Sequence, residues 1–521
     1  MLKDFSLSDV KSGFLIFLIA LPLSLGIAAA SSFPPIAGIM TAIVGAFVAS
    51  FLGSSRLTIK GPAAGLIVIV FGAVQDLGQG NVLAGYQKCL GICVAAAVLQ
   101  IIFSRIGAGK VGNLMPPSVV HGMLAAIGVI IMAKQFHVLL GVVPHGKTPL
   151  DLIAEIPETL ALVNPEIAFI GILTLLSVVL IPFIPIRMTQ KIPSALIALI
   201  LVLPLALYWH LDSSHDYSFW NTNYHVGPNF LVNLPANLLS AVTFPDFSAL
   251  ASVTGLKYVM MFALVGSLES LLTVTAIDSL DPKKQKSDLN ADLFAVGVGN
   301  LASALVGGLP MISEVVRSKA NIDNGAQSKW SNVFHGVFLL LAVTLFVGVI
   351  HEIPLAALAA MLMITGFRLS SPKEFYKTYR VGFDQLILFS VTLLITISTD
   401  LLMGVFAGIL LKFILHILRG VQLRNLFSMP IVISEKGGSC VMTVKGQAIF
   451  SNYLYLVNQL EKNLRTHKKV VLDFSETSLI DHTTLHHIKG LCDFHKEKLE
   501  TVGLHVHKRL SAHELATHKL V

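Results

Sequence analysis

Long apolar stretches follow one another along most of this chain, from Phe14 to about Leu418. Each stretch of about 18 to 22 residues is long enough to cross ~30 Å of hydrocarbon as an α-helix. Only 13% of the 521 residues are charged, whereas roughly 25% are charged in an ordinary soluble domain. The sequence therefore predicts an α-helical polytopic membrane protein, with the lipid bilayer as its main surroundings.

The apolar pattern predicts fourteen segments. Their bounds are 13 to 31, 34 to 53, 62 to 75, 84 to 104, 116 to 135, 166 to 186, 192 to 210, 258 to 278, 288 to 307, 311 to 320, 331 to 350, 353 to 369, 383 to 399 and 401 to 419. Lysine and arginine gather in alternate loops, such as those with Arg56, Lys110 and Arg380, so the positive-inside rule places both termini in the cytoplasm. We expect a bacterial-type inner membrane. Because orientation accounts for the net charge of +7, we expect no nucleic-acid partner.

Two of these segments, the third and the tenth, are short and begin with Gly-Pro or Gly-Gly-Leu-Pro. Pro62 and Pro310 lie 248 residues apart, close to the separation between the starts of segments one and eight. Short segments interrupted by glycine and proline at matching places in two halves indicate an inverted-repeat transporter. Because seven is odd, the second group of seven must be inverted relative to the first. The predicted fold is therefore a 7+7 inverted repeat.

The open end of each short helix predicts a binding site for an anion. The first N–H groups of a helix have no partners, and the helix dipole adds roughly half a positive charge there. Proline suits a first helical turn, and small residues let a ligand approach the backbone. The predicted anion-binding residues are Gly61, Pro62, Ala63, Ala64, Gly65, Pro310, Met311, Ile312 and Ser313. The alternative is that both motifs are merely helix kinks.

Glu269 lies in the middle of the eighth segment, where an ionised carboxylate costs at least ~2.5 kcal/mol unless it is paired or hydrated. Ser270 and Thr273 follow on the same helical face. This face either offers oxygen ligands to a hard cation or carries a proton on the carboxyl group, so Na⁺ or H⁺ is the expected coupling ion. The alternative is a structural ion pair of Glu269 with Arg317 or Lys60.

Three further charges lie close to the predicted anion site. Glu314 and Arg317 are three residues apart in the tenth segment. They either pair with each other, or Arg317 faces the cavity and adds positive charge for a divalent or planar anion. Lys60 is expected at the cytoplasmic edge rather than as a direct ligand.

After about residue 421 the pattern changes to that of a small α/β domain. It predicts two strands in IVISEKGGSCVMTV, an amphipathic helix in AIFSNYLYLVNQLEKNL, a buried strand in KKVVLDFS, a helix capped by Asp481, and a last strand in VGLHVHK before a short helix. The predicted domains are 1–420, transmembrane, and 421–521, cytoplasmic. His482 and His486 have a spacing that suits Zn²⁺. No further ligand completes the set, so no metal or other cofactor is expected.

Five short motifs, in this order, resemble the sulfate permease (SulP) family of anion transporters. ALPLSLGIAAASSFPPIAG (Ala20–Gly38) is similar to the family's first-span signature, while KGPAAG, SLESLLTV and GGLP fall in its third, eighth and tenth segments. VVLDFSETSLIDHTT resembles part of the C-terminal STAS domain (sulfate transporter and anti-sigma factor antagonist). The resemblance implies a core bundle of segments 1 to 4 and 8 to 11, a gate bundle, and a site between the third and tenth helices. It also implies elevator-like movement and homodimers.

Two places depart from the family pattern. Sodium-bicarbonate members resemble this chain at Glu269 and Thr273, but their hydroxyl beside the third-helix proline is replaced by Ala63, which weakens the Na⁺ interpretation. The DSSG motif of phosphorylated STAS domains is DHTT here, Asp481 to Thr484, so phosphoserine switching is not expected there.

The predicted function is secondary active transport of a small inorganic anion, sulfate or bicarbonate, coupled to H⁺ or Na⁺. We expect uphill transport to use the gradient of this coupling ion. The alternatives are an anion channel or exchanger, or a membrane-anchored sensor whose STAS-like domain recruits cytoplasmic proteins. No nucleophile, base and orienting group converge on one segment, so an enzyme is not expected.

Overall fold

The computed structural model describes residues 6–110, 115–146, 148–185, 192–235, 238, 240–436, 439–495, 497–503 and 517–519. Within these residues, eight helices are long and apolar enough to cross a membrane, and five further apolar helices have 10 to 17 residues. Each of the fourteen predicted segments overlaps with one helix or two or three consecutive helices, but the third and the tenth begin in short strands. The polytopic helical fold is thereby confirmed.

The helices that precede residue 420 are α1 (Leu7–Ala30), α2 (Pro35–Val44), α3 (Ser50–Leu52), α4 (Ile67–Gly78), α5 (Val82–Arg105), α6 (Pro117–Leu139), α7 (Pro149–Ala154), α8 (Ile156–Ala161), α9 (Pro165–Leu180), α10 (Ser194–Tyr208), α11 (Val253–Leu280), α12 (Leu289–Leu305), α13 (Val315–Asp323), α14 (Trp330–Leu345), α15 (Val347–His351), α16 (Leu355–Leu369), α17 (Pro372–Val381), α18 (Phe383–Ser398) and α19 (Leu401–Leu418). A π-helical turn joins α2 to α3 in one crossing. In the part of the chain that the structure describes, four short strands lie among these helices: β1 (Ile59–Pro62), β2 (His215–Phe219), β3 (Thr222–Val226) and β4 (Met311–Glu314).

The helix packing follows the predicted repeat. α1 packs against α14, and α11, at the matching place in the second half, packs against α5. Each contact joins the first segment of one half to the fourth segment of the other, as an inverted repeat requires.

The chain divides into two compact units, Met1–Gly109 with Ile127–Leu369, and Lys110–Ala126 with Ser370–Val521. The second unit groups α17, α18 and α19 with the C-terminal domain. The domain boundary that the sequence suggests at residue 420 therefore stays a prediction.

Apolar side chains cover both the inside and the outside of the first unit. On α9, Ile170 is fully buried in a continuous cluster that also includes Leu25 and Val202. Phe169 and Leu176 on the same helix are about half exposed. A helix that is apolar on all sides is suited to lie between protein and lipid.

The long loop between α10 and α11 contains a β-hairpin that the sequence interpretation missed. β2 and β3 pair antiparallel, and the two turn residues, Trp220 and Asn221, have φ values of 47° and 63°. Positive φ at both positions is typical of the two-residue hairpin turn. The Tyr217 hydroxyl donates to Asn164 Oδ1 at 2.8 Å, which attaches the hairpin to the start of α9.

The C-terminal region is a small α/β domain, as predicted. Its elements are β5 (Ile431–Lys436), β6 (Ser439–Val444), β7 (Gly446–Ala448), α20 (Tyr453–Thr466), β8 (Val470–Asp473), β9 (Thr477–Asp481), α21 (His482–Phe494), β10 (Leu499–Val502) and β11 (Thr517–Lys519). One sheet has the order β10-β8-β6-β5, and a second has the order β11-β9-β7. β10 ends at Val502, where the last predicted strand, VGLHVHK, begins, and residues 504–508 of that predicted strand lie outside the described residues. Residues 504–516, where the predicted short helix begins, lie outside the described residues.

Candidate anion site

A two-stranded ribbon occupies the place where the sequence predicts two helix starts. β1 and β4 pair antiparallel, with Pro62 opposite Met311, and all eight residues are buried. Ala63 N–H extends the ribbon by donating to Pro310 C=O at 3.1 Å. Non-helical backbone at membrane depth is tolerated only where its polar groups find partners inside the protein or in a wet cavity. Here β1 and β4 supply backbone hydrogen-bond partners to each other.

The predicted helix starts at Pro62 and Met311 are therefore wrong. The chain becomes helical only at Ala64–Leu66, a 3₁₀ turn that continues into α4, and at Val315, the first residue of α13. The two helices that follow, α4 and α13, are nevertheless short. The ribbon pairs β1 and β4, the segments that precede them.

Two of the predicted backbone donors in the second half already have partners. Met311 N–H donates to Asn300 Oδ1 at 2.6 Å, and Ser313 N–H donates to Ser270 Oγ at 3.2 Å. These two amides are not free to bind an anion. The open helix end that remains among the predicted residues is the first turn before α4, which includes Ala64 and Gly65.

Glu269 lies against that first turn. It is 6% exposed, and neither carboxylate oxygen has a hydrogen-bond partner in the described part of the chain. A Cβ atom at Gly65 would overlap both oxygens of Glu269. Glycine at this position therefore lets the carboxylate of α11 approach the backbone at the start of α4.

The two hydroxyl residues predicted beside Glu269 are also buried in α11. Ser270 Oγ lies 3.1 Å from Ser313 Oγ, so Ser270 holds α11 against β4. Thr273 is 3% exposed and lies one helical turn after Glu269. The structure thus places Glu269 against the start of α4 and Ser270 against β4.

Arg317 lies on α13 and is 1% exposed. Its guanidinium nitrogens Nη1 and Nη2 have no hydrogen-bond partner among the described residues. A Cβ atom at Gly61 would lie 2.6 Å from Nη1, so the guanidinium rests on the ribbon where Gly61 pairs with Ile312. A buried cation with two free donor groups is suited to bind an oxyanion.

Glu314, the last residue of β4, points across the ribbon instead of towards its own helix. It forms no side-chain hydrogen bond with the start of α13. Its Oε1 atom accepts the Ala64 N–H at 3.4 Å. The predicted pairing of Glu314 with Arg317 is thus not formed as a hydrogen bond, because Nη1 and Nη2 are both unpaired.

Lys60 is 1% exposed, and its expected position at the cytoplasmic edge stays a prediction. Its Nζ atom lies 2.8 Å and 3.0 Å from the Asp292 carboxylate oxygens and 2.6 Å from Thr58 Oγ1. Ser313 Oγ also donates to Asp292 at 3.4 Å. Lys60 therefore stabilises the ribbon through α12, and it is not the pairing partner of Glu269.

Sequence reasoning missed several polar residues that support the ribbon. Asn300 on α12 accepts from Met311 N–H and donates to Met311 C=O at 3.1 Å. Its amide also donates to Gln100 Oε1 on α5 at 2.8 Å. The available signal was the occurrence of an amide and an acid, Asn300 and Asp292, in an apolar segment, where polar residues are rare and usually functional.

A second buried charged cluster lies in the other compact unit. Lys412 of α19 donates to Thr483 Oγ1 at 2.6 Å and lies 3.2 Å from Asp481 Oδ2, while His416 Nε2 lies 3.3 Å from the same oxygen. Burial alone would raise the pKa of the Asp481 carboxyl group, but Lys412 and His416 outweigh burial and hold this pKa well below its usual range. Asp481 also accepts the Thr484 N–H at 2.8 Å and so caps α21, as predicted.

Comparison with known proteins gives a family match over most of the chain. The sequence model described as the sulfate permease family matches residues 7–392. A putative sulfate transporter of Bacillus subtilis (strain 168), YvdB, is 28% identical over 512 residues, which cover 95% of this chain and 91% of that protein. The bicarbonate transporter BicA of Picosynechococcus sp. is 25% identical over 420 residues, which cover 80% of this chain and 71% of that protein.

Two solved structures have the same fold. The transmembrane domain of a cyanobacterial bicarbonate transporter, BicA, superimposes with a TM-score of 0.67 at 23% identity, covering 78% of this chain and 98% of that chain. The murine solute carrier 26 family member A9 anion transporter, in an inward-facing state, gives a TM-score of 0.70 at 15% identity, covering 97% of this chain and 87% of that chain.

Proposed function

Because the chain belongs to the sulfate permease family, we propose that it is a secondary active transporter of a small inorganic anion, sulfate or bicarbonate. The observation that carries this proposal is the buried guanidinium of Arg317, whose Nη1 and Nη2 lack hydrogen-bond partners among the described residues. A guanidinium binds oxyanions through two parallel N–H···O bonds. An oxyanion beside Gly61 would provide both acceptors.

The surroundings of Arg317 support the same substrate class. The first turn before α4 adds backbone N–H groups and the positive end of a helix dipole, which favour a compact anion. Relatives that are named as sulfate and bicarbonate transporters agree with this class. Backbone N–H groups bind either anion, so the choice between sulfate and bicarbonate needs a transport measurement.

Glu269 is the proposed coupling residue. Its two carboxylate oxygens are buried without hydrogen-bond partners in the described residues, and an ionised carboxylate in such surroundings is strongly unfavourable. A proton would neutralise it directly. Na⁺ would need several oxygen ligands, but Ser270 already contacts Ser313, and Ala63 has no hydroxyl group. We therefore favour H⁺ over Na⁺ as the coupling ion.

The ribbon supports the proposed elevator-like movement of the site. β1 and β4 come from different halves of the chain and pair directly. The starts of α4 and α13, which follow them, can therefore move together. We further propose a homodimer in a bacterial-type inner membrane, with both termini in the cytoplasm and an α/β domain that binds cytoplasmic proteins. The resemblance to the family and the distribution of basic residues support this arrangement.

The test is transport by the full-length protein in liposomes, with labelled sulfate or bicarbonate and with imposed pH gradients, Na⁺ gradients or neither. We expect uptake when the outside is acidic. Arg317→Ala should reduce the rate at least about tenfold, since it removes a charged partner worth roughly 1.5–3 kcal/mol. Arg317→Lys should restore only part of the rate, because an ammonium lacks the two-pronged geometry.

Arg368→Ala is the matched control, because Arg368 is an exposed arginine at the end of α16. An Arg317→Ala protein that transports at the wild-type rate, while Arg368→Ala also behaves as wild type, would overturn the proposed site. Rapid uptake at the same rate with and without the imposed pH and Na⁺ gradients would indicate an anion channel instead of a coupled transporter.

A further inference from the structure

The carboxylate of Glu314 takes the position that an anion at the start of α4 would use. Its Oε1 atom accepts the Ala64 N–H at 3.4 Å, and Glu314 is only 8% exposed. The residue comes from the second half of the chain, yet it contacts the open helix end of the first half. It has a nearer cationic neighbour in sequence, Arg317, whose Nη1 and Nη2 remain unpaired in the described residues.

A capping role for its own helix does not explain this position. Glu314 is the residue before α13, at the N-cap position, where a side-chain oxygen commonly accepts from the first N–H groups of the following helix. It makes no such bond. Gly61 lies beside both groups, with its hypothetical Cβ 2.6 Å from Arg317 Nη1 and 4.0 Å from Glu314 Cγ. The absence of a side chain at Gly61 leaves the acid and the guanidinium on one face of the ribbon.

We propose that Glu314 is a tethered competitor of the transported anion, whose carboxylate must leave the Ala64 N–H before an oxyanion binds between that amide and Arg317. This inference rests on the proposed function and names a specificity-determining residue within it. When Glu314 gains a proton, its carboxyl group loses the charge that holds it at the helix end. The incoming oxyanion then replaces it as the acceptor, and no bond other than hydrogen bonds forms or breaks.

The charges around Glu314 make this competition depend on pH. The groups that face it or its neighbours are Glu269 on α11, Arg317 on α13, the Lys60–Asp292 ion pair between β1 and α12, and His335 on α14. The ion pair is internally neutral. With Glu269 and Glu314 both ionised, one guanidinium faces two carboxylates, so a dianion such as sulfate would meet a net negative site. The site therefore accepts a compact oxyanion together with protons.

The test measures sulfate binding to the purified full-length protein by isothermal titration calorimetry and by sulfate-dependent thermal stabilisation, at pH 6 and pH 8. Sulfate keeps the same charge over this range, so any pH effect comes from the protein. Glu314→Gln keeps the shape but removes the charge, and Glu314→Ala removes the side chain. Glu158→Gln is the control, because Glu158 is an exposed glutamate on α8.

At pH 8 we expect both Glu314 variants to bind sulfate at least about tenfold more tightly than wild type, which corresponds to about 1.4 kcal/mol. The gain should shrink at pH 6. Equal or weaker binding by both variants, or a gain that is the same at both pH values, would overturn the inference. Should one variant fail to fold, the other gives the same comparison.

The same experiment separates this inference from the proposed function. If Arg317→Ala abolishes sulfate binding but Glu314→Gln leaves the Kd unchanged, the anion site is correct and the competitor role is wrong. If neither sulfate nor, at pH 8, bicarbonate binds to wild type or to any variant, the proposed function itself fails.

Discussion

The Glu269 carboxylate lies against the backbone of Gly65, in the space that a Cβ atom at this position would need. Gly65→Ala should therefore push the carboxylate away from α4 or distort its first turn. We expect at least about a tenfold loss of anion uptake in liposomes, because small displacements of binding groups have large effects on rate. Gly348→Ala is the matched control, since a Cβ there meets nothing within 4 Å. Wild-type uptake by Gly65→Ala would contradict the assigned contact.

Glu269→Gln should separate binding from coupling. The glutamine keeps the shape of the side chain but carries neither a titratable proton nor a negative charge for Na⁺. We expect sulfate exchange across the liposome membrane to continue, while accumulation driven by a pH gradient falls to the level of empty liposomes. Uphill accumulation by this variant would exclude Glu269 as the coupling residue.

Breaking the Lys60–Asp292 ion pair should destabilise the folded protein. Both side chains are about 1% exposed, so removing one partner leaves a buried charge without compensation. Lys60→Met or Asp292→Leu alone should lower the free energy of unfolding by about 3–5 kcal/mol. The double variant Lys60→Met, Asp292→Leu should recover much of this loss, because it buries no charge.

The measurement for this pair is the thermal unfolding midpoint of the detergent-solubilised protein with each single variant and the double variant. Additive losses in the double variant would mean that the two residues stabilise the fold separately.

His482 should make the stability of the C-terminal domain depend on pH. Burial, together with the Lys412 charge, lowers the pKa of His482 to about 4. A pKa that is lower in the folded than in the unfolded state stabilises the fold at pH values above about 6.5, and this contribution is lost as the pH falls towards 4. We expect a loss of roughly 3 kcal/mol at most over that range.

Hydrogen exchange of α21 amides in the full-length protein, corrected for intrinsic rates at each pH, measures this effect. His482→Gln should flatten the pH dependence, whereas His145→Gln, at an exposed position in the other unit, should not. An unchanged profile in His482→Gln would assign the pH dependence to other groups.

The number and order of the membrane segments could be read from sequence because a bilayer imposes a length on each apolar stretch. The convergence of residues 61–65 with 310–313 was also predictable, since their motifs occupy matching places in two halves. The strands themselves were not predictable. Four residues such as IKGP or MISE carry no local periodicity, and what makes them extended is a partner some 250 residues away.

The polar network around the site was only partly predictable for a related reason. A single acid in an apolar stretch, such as Asp292, signals importance but does not name its partner. Lys60 is the partner because the ribbon turns its side chain towards α12, which depends on tertiary structure alone. The same limit applies to Lys412 and Asp481, which lie 3.2 Å apart but belong to segments with unrelated patterns.

The β1–β4 ribbon has a consequence for biosynthesis. Ile59–Pro62 leaves the ribosome about 250 residues before Met311–Glu314, which at ~5–20 residues per second is a delay of roughly 12–50 s. Throughout that interval β1 lies in the membrane without β4, the strand that forms its backbone hydrogen bonds. The nascent first half must therefore keep this segment hydrated or shielded until translation delivers its partner.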